Sequence, residues 1–260
     1  MMMTNHARKK TTVDPEEVAA FGAQASEWWN PDGAFKPLHK LGPVRLQYLR
    51  TQICDHFCRN PRTLEALKDI EILDIGCGGG LVSEPLARAG AKMTGIDAAE
   101  ENIKIATAHA LDSGMPRNNP SYRHITAEDL LAKSKKRYDA VLALEIVEHV
   151  ADVPLFVETA AKLVKPDGIL IFSTLNRTAR SFALGIVAAE YLLGWLPRGT
   201  HSWKKFVRPS ELARDLRRQG FIPCDMTGLV YDPLSDRFSL HKRDFSVNYF
   251  LTAKKDGTLH

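Results

Sequence analysis

The chain has 260 residues, 44% of them apolar and 25% charged, with Lys+Arg 35 and Asp+Glu 31 giving a formal net charge of +4. These values exclude disordered and fibrous classes and allow one large domain whose core needs no staples. The charge surplus is too small to argue for a nucleic-acid partner, and four cysteines without paired spacing point to a reducing, cytoplasmic setting.

Residues 1–12 read as a disordered tail, polar and basic, without the apolar stretch of a secretory signal. Residues 13–260 read as a single domain whose first part, 13–60, is a helical cap. In Asp14-Pro15-Glu16-Glu17 the acid caps a helix, the proline takes its first position and glutamates fill its first turn, so a helix is predicted to about Trp28. Asn30-Pro31-Asp32-Gly33 is a turn. A second helix is predicted to follow Pro43 and to end at Asn60-Pro61.

From residue 70 the pattern alternates. β-rich runs at 71–75, 92–96, 122–126, 138–144 and 169–174 are separated by helical stretches at 81–89, 99–113, 128–133 and 153–164. Such alternation implies βαβ units and a parallel sheet wound right-handedly. Residues 175–208 interrupt it with a mostly apolar insert. A helix at 209–219 and strands at about 222–231 and 246–253 follow, flanking a polar loop. The expected fold is α/β, a Rossmann-like seven-stranded sheet, mostly parallel with the last strand antiparallel.

The sharpest signal is Asp74-Ile75-Gly76-Cys77-Gly78-Gly79-Gly80, which leaves the first strand and opens a helix. Residues without side chains let the backbone approach a ligand, and a helix start offers unpaired N–H groups. Asp97 ends the next strand, where a carboxylate can accept both hydroxyls of a ribose. A dinucleotide and S-adenosylmethionine both suit such a place. Asp74, two residues before the first glycine, decides between them: it would repel a pyrophosphate and suits a ligand carrying an ammonium and a sulfonium.

These residues resemble the class I S-adenosylmethionine-dependent methyltransferases. Trp28-Trp29-Asn30-Pro31-Asp32-Gly33, Phe35-Lys36-Pro37-Leu38-His39, Pro43-Val44-Arg45-Leu46, Glu145-Ile146-Val147-Glu148-His149-Val150, Ser173-Thr174-Leu175-Asn176-Arg177 and Gly199-Thr200-His201 narrow the resemblance to ubiquinone biosynthesis O-methyltransferases. It covers roughly residues 14–254. It implies methylation of a polyprenyl catechol at two steps of ubiquinone synthesis. It also implies that the loop of Gly76, Cys77 and Gly78 holds the donor's amino-acid end and Asp97 its ribose. Arg45 would reach the donor's carboxylate, and Leu144 would line the donor site. Many relatives have Met-Leu inside the acidic motif where this chain has Ile146-Val147, a conservative change. The implied partners are a polyprenyl catechol or quinol, anionic membrane lipids and an assembly for ubiquinone biosynthesis. Two rivals remain open: a methyltransferase of another small aromatic or carboxylate acceptor, and a non-catalytic lipid-binding subunit.

Glu145, Glu148 and His149 fall at i, i+3 and i+4 where the fourth strand ends. If the chain turns helical there, all three share a face. Two carboxylates and an imidazole suit a hard divalent ion, and the resemblance associates Mg²⁺ with this motif. A free catechol, with a pKa of about 10 like tyrosine, is mostly neutral at pH 7. A bound cation would favour the catecholate; without one, His149 could be the general base. The residues leave both open.

In the insert, Ser181–Leu196 is a 16-residue mostly apolar run containing Glu190. It is too short to cross a bilayer, which needs roughly 20 residues. Arg177 and Arg180 precede it, and Arg198, Lys204, Lys205 and Arg208 follow. An apolar helix between cationic flanks can lie on an anionic membrane, which would make the protein cytoplasmic but peripherally membrane-associated. It could equally be a lid over the active site, and the two roles can coexist. Trp28 and Trp29 could touch the substrate or pack in the core, and His201 could approach the acceptor or make a structural bond.

Overall fold

A computed structural model describes residues 11–183 and 203–255. The end of the tail is tied down: Thr12 is buried, its N–H donates to Glu128 Oε1 at 2.6 Å, and its carbonyl accepts from Ala151 N at 2.8 Å. Helix α1, Pro15–Ala23, begins as expected, with Asp14 accepting from Glu16 N at 3.1 Å, and a short 3₁₀ turn at Ala25–Glu27 continues it.

Helix α2 departs from expectation. It spans Lys36–His56, starting before Pro43 rather than after it, and carries that proline inside. A proline inside a helix removes one hydrogen bond at a cost of about 3 kcal/mol. Burial of Leu41, Tyr48, Leu49 and Ile53 on the same helix offsets this, at about 1.5–3 kcal/mol per large apolar side chain.

Strands β1 (Glu71–Ile75), β2 (Lys92–Asp97), β3 (Ser121–His124), β4 (Tyr138–Leu144) and β5 (Val164–Leu175) pair in parallel, linked by α3 (Ser83–Arg88), α4 (Glu100–Asp112), α5 (Ala127–Lys133) and α6 (Val153–Lys162). The Pro166-Asp167-Gly168 turn signal lies inside β5, where the register against β4 shifts. A single helical turn, α7 (Ala179–Ser181), follows β5, and α8 (Pro209–Arg218) leads to β6 (Phe221–Asp232), β7 (Arg237–His241) and β8 (Asn248–Lys255).

Among the described residues the sheet has eight strands in the order β3-β2-β1-β4-β5-β8-β6-β7, with β8 antiparallel to both β5 and β6. The extra strand is β7, in the segment expected to be a polar loop. It is an edge strand of alternating exposure whose Phe238 and Leu240 pack inward while Arg237, Ser239 and His241 face out. A short, charged edge hides a period-two pattern among its polar residues.

The central strands bury both faces, as parallel strands do. Leu73, Ile75, Val141, Ala143, Leu170 and Phe172 join one cluster with Phe156 and Ala160 of α6 and Leu212 of α8. Their alternates Ile72, Ala140, Leu142, Ile169 and Ile171 join another with Tyr48, Leu49 and Ile53 of α2 and Leu86 of α3. The result is a three-layer α/β/α domain. Strand order reverses between β1 and β4, so the crevice for a ligand opens at their carboxyl ends.

Candidate active site

After β1 the chain turns through glycines with positive φ: +73° at Gly76, +52° at Gly78 and +90° at Gly80. A Cβ at Gly76 would overlap Ile146, and one at Gly78 would overlap the ring of Trp28. Gly76 and Cys77 N–H groups donate to Ile96 O at 2.8 and 3.0 Å, pinning the loop to β2. The Cys77 side chain is a buried filler, its thiol pushed well above the usual range by burial.

Asp97 accepts from Gly78 N at 3.0 Å and from Ala99 N at 2.8 Å, and Asn102 Nδ2 donates to it at 3.2 Å. Burial raises its pKa against those bonds. Asp74 is buried and accepts from Ser83 Oγ at 2.7 Å; burial pushes it up to about 6, opposed by the Ser83 bond and the charge of Arg45. Arg45 is buried on α2. Burial works against its charge, with Glu145 and Asp74 compensating, and its Nε has no hydrogen-bond partner. An unpaired buried donor beside a glycine cradle fits a ligand carboxylate.

The two tryptophans brace this loop. Trp28 Nε1 donates to Asn102 Oδ1 at 2.9 Å, and its ring stacks on Phe35 at 3.8 Å and 4°. Trp29 Nε1 donates to Gly79 O at 2.9 Å, and its ring stacks on His109. The packing alternative for this pair therefore holds in the structure, although Trp28 also lines the cavity.

The acidic motif is not one helical face. Glu145 ends β4 in the left-handed region, at φ +52°, and only Val147–His149 form a 3₁₀ turn. Left-handed backbone at a non-glycine residue is strained and is held by its surroundings. Glu145 accepts from Ser173 Oγ at 2.6 Å and from Asn248 Nδ2 at 3.0 and 3.2 Å. Buried Glu148 accepts from Thr174 Oγ1 at 2.7 Å; burial and then the charge of Glu145 raise its pKa. His149 Nδ1 donates to Glu17 Oε2 at 3.0 Å, and its ring meets the edge of Phe21 at 5.0 Å. Burial opposes charge on His149, but Glu17 and the neighbouring carboxylates outweigh it and raise the pKa. Among the described residues, no three His, Cys, Asp or Glu side chains form a group ready to hold a metal ion.

Arg45, Asp74, Gly76, Cys77, Gly78, Asp97, Leu144, Glu145, Glu148 and His149 all line one cavity of about 840 Å³. Residues from α1, from α2 and from the β6–β7 hairpin line it too, among them Glu17, Leu38, Leu41, Leu229, Tyr231 and Phe238. Sequence reasoning expects the N-terminal helices to cap the carboxyl ends of the strands, and α1 does line the cavity; the hairpin as a wall of the site was missed. The Asp-Pro-Glu-Glu cap announced the helix, but nothing local announced its partner. Single ligand sites commonly occupy roughly 300–1,000 Å³, so the cavity is at the large end and has a polar and an apolar part.

Residues 184–202, with most of the apolar run, Arg198 and His201, lie outside the described residues, as does the tail before residue 11. Three of the described flanking cations are paired within the chain. Arg177 pairs with Glu211, Arg180 with Asp244 at 3.1 Å, and Lys205 with Glu17 at 2.7 Å and Asp14 at 3.1 Å. Among the described residues no helix is long and apolar enough to cross a membrane.

A family model described as a methyltransferase domain matches residues 46–222. The ubiquinone biosynthesis O-methyltransferase of Chelativorans sp. (strain BNC1) is 50% identical over 247 residues, covering 95% of this chain and 96% of that protein. The protein of the same name from Azorhizobium caulinodans is 51% identical over 254 residues, covering 98% and 97%. Among solved structures, the magnesium protoporphyrin IX methyltransferase from Synechocystis PCC 6803 with bound S-adenosylmethionine superposes with a TM-score of 0.60 at 18% identity, covering 95% of this chain and all of that one. A possible histamine N-methyltransferase from Thermotoga maritima gives 0.61 at 16%, covering 92% and 99%. At such identity these two share the fold.

Proposed function

This chain belongs to the family of ubiquinone biosynthesis O-methyltransferases, and from that membership we propose that its cavity joins S-adenosylmethionine to a polyprenyl catechol or quinol. The observation that carries this reading is one cavity in which the glycine cradle, the Glu145–His149 motif and an apolar wall meet. Bound donor would supply an electrophilic methyl group on a positively charged sulfur, open to displacement by the acceptor oxygen. The chain's own residues do the rest. The loop of Gly76, Cys77 and Gly78 lines the cavity and takes the donor's amino-acid end, Asp97 receives the ribose hydroxyls, and buried Arg45 presents an unpaired N–H to the donor's carboxylate. Asp74 supplies negative charge for the ammonium, and Leu144 an apolar contact. His149 stands on the acceptor side as the base for the phenolic proton. Leu38, Leu41, Leu229 and Phe238 give the prenyl chain an apolar wall.

The proposal extends to Mg²⁺ and to lipid. Glu145 and Glu148 are two neighbouring carboxylates, one with a raised pKa, a pair that a hard cation relieves. They are already bonded to Ser173, Asn248 and Thr174 and do not converge with His149, so metal binding would require rearrangement, and no step is routed through it. Peripheral membrane contact rests on the apolar run and the polyprenyl acceptor.

Purified protein with labelled donor and a short-chain demethylubiquinol should yield the methylated quinol. Chelator should depress the rate and Mg²⁺ restore it. No product from any catechol acceptor would sink the assignment; full rate in excess chelator would remove only the metal.

A further inference from the structure

Helix α1 lines the cavity with one carboxylate divided between two partners. Glu17 Oε2 accepts from His149 Nδ1 at 3.0 Å, while its Oε1 accepts from Lys205 Nζ at 2.7 Å. Lys205 also donates to Asp14, the residue that caps α1, and Phe21, one turn along, packs edge-on against the imidazole at 5.0 Å. Glu17 and His149 are 132 residues apart in the chain, so the pairing is made by the fold alone.

We propose that Glu17 is a positioning residue for methyl transfer, fixing the ring orientation and tautomer of His149, with Lys205 holding Glu17 in place. This rests on the reading of His149 given above. A carboxylate only accepts hydrogen bonds, so its partner nitrogen, Nδ1, must carry a proton. That leaves the lone pair of a neutral ring on Nε2. Nε2 is the atom a general base would use, and equally the atom a metal ligand would use, since an imidazole bound to metal ordinarily donates its other N–H to a carboxylate. The assignment therefore holds whichever way the acceptor is activated. Phe21 limits ring rotation from the side, and Lys205 stops Glu17 from swinging away. Nothing in the relatives' names or the glycine loop points to α1 as part of the machinery.

The test uses the full chain. Glu17→Gln keeps the side chain's shape but replaces the acceptor-only group, so kcat should fall at least tenfold while both KM values and the donor Kd by calorimetry stay within about twofold. Donor binding also certifies the fold. In ¹⁵N spectra of labelled histidine, taken at a pH high enough to keep the ring neutral, His149 should show a single Nδ1-protonated form in the wild type and mixed tautomers in E17Q. Asp14→Ala, which weakens the α1 cap and the Lys205 contact but leaves the Glu17–His149 bond, should keep kcat within about threefold. An E17Q kcat within twofold of wild type, an unchanged His149 spectrum, or an equal kcat loss in D14A would overturn the proposal. If the wild type methylates no catechol at all, the functional reading has failed instead, and the spectrum still decides the role of Glu17.

Discussion

Asp74 shows how a single residue can trade stability for binding. Its carboxyl is raised by burial from 3.8 to about 6, so the folded protein holds that proton more tightly than the unfolded chain does. The stability from the neutral carboxyl is complete below the unfolded value and is lost as pH rises through about 6; at pH 7 the buried charge costs about 3 kcal/mol. Donor-free Asp74→Asn should therefore melt several degrees above wild type at pH 7, the two curves meeting near pH 4, while its donor affinity drops at least tenfold. Equal melting temperatures at pH 7 would remove the electrostatic argument. The residue was legible in the sequence because it stands two places before a glycine run. Its bond to Ser83 and the compensation by Arg45 were not, since both depend on helices folding back over β1.

At the level of elements, legibility followed burial. Strands β1 and β4 were read at their observed ends, because strands covered on both faces are continuous apolar runs bounded by polar turns. In the β6–β7 hairpin, β6 was read but its return strand β7 was not. Asp232, Ser235 and Asp236 at its turn look like loop, and Phe238 and Leu240 recur only every second residue at an exposed edge. Helix α2 was started late because a proline ordinarily opens a helix, and only tertiary packing keeps one inside. The hairpin has consequences for chemistry, since Lys40 on α2 pairs with Asp236 at its tip at 2.6 Å and Phe238 lines the cavity. Phe238→Ala should raise the acceptor KM about tenfold for a long-tailed quinol and less than threefold for a tail-less one, with donor Kd unchanged. A uniform effect on both acceptors would show that the hairpin does not read the tail.

For the whole molecule, the sequence disclosed class, layer order and the crevice, because βαβ alternation carries its own handedness. It could not disclose which charges would neutralise each other. Arg177, Arg180 and Lys205 look in sequence like a basic flank for a membrane, yet they pair with Glu211, Asp244, Asp14 and Glu17. The proposed contact with lipid would then rest more on apolar insertion than on charge. Deleting residues 181–196 should reduce co-sedimentation with anionic liposomes at least fivefold, and raising salt to 0.5 M should reduce it less than twofold. Equal sedimentation of both forms would leave the insert as a lid only.

Strand β8 lies between β5 and β6, although it follows both in the chain. During synthesis, the nascent polypeptide must carry the apolar strand β5 and the equally long, half-exposed β6 with open hydrogen-bonding edges until residues 248–255 emerge from the ribosome. The parallel half of the sheet can form early, but it has no partner along β5 until the final stretch arrives. A chain stopped before that stretch would therefore leave the edge of β5 unpaired.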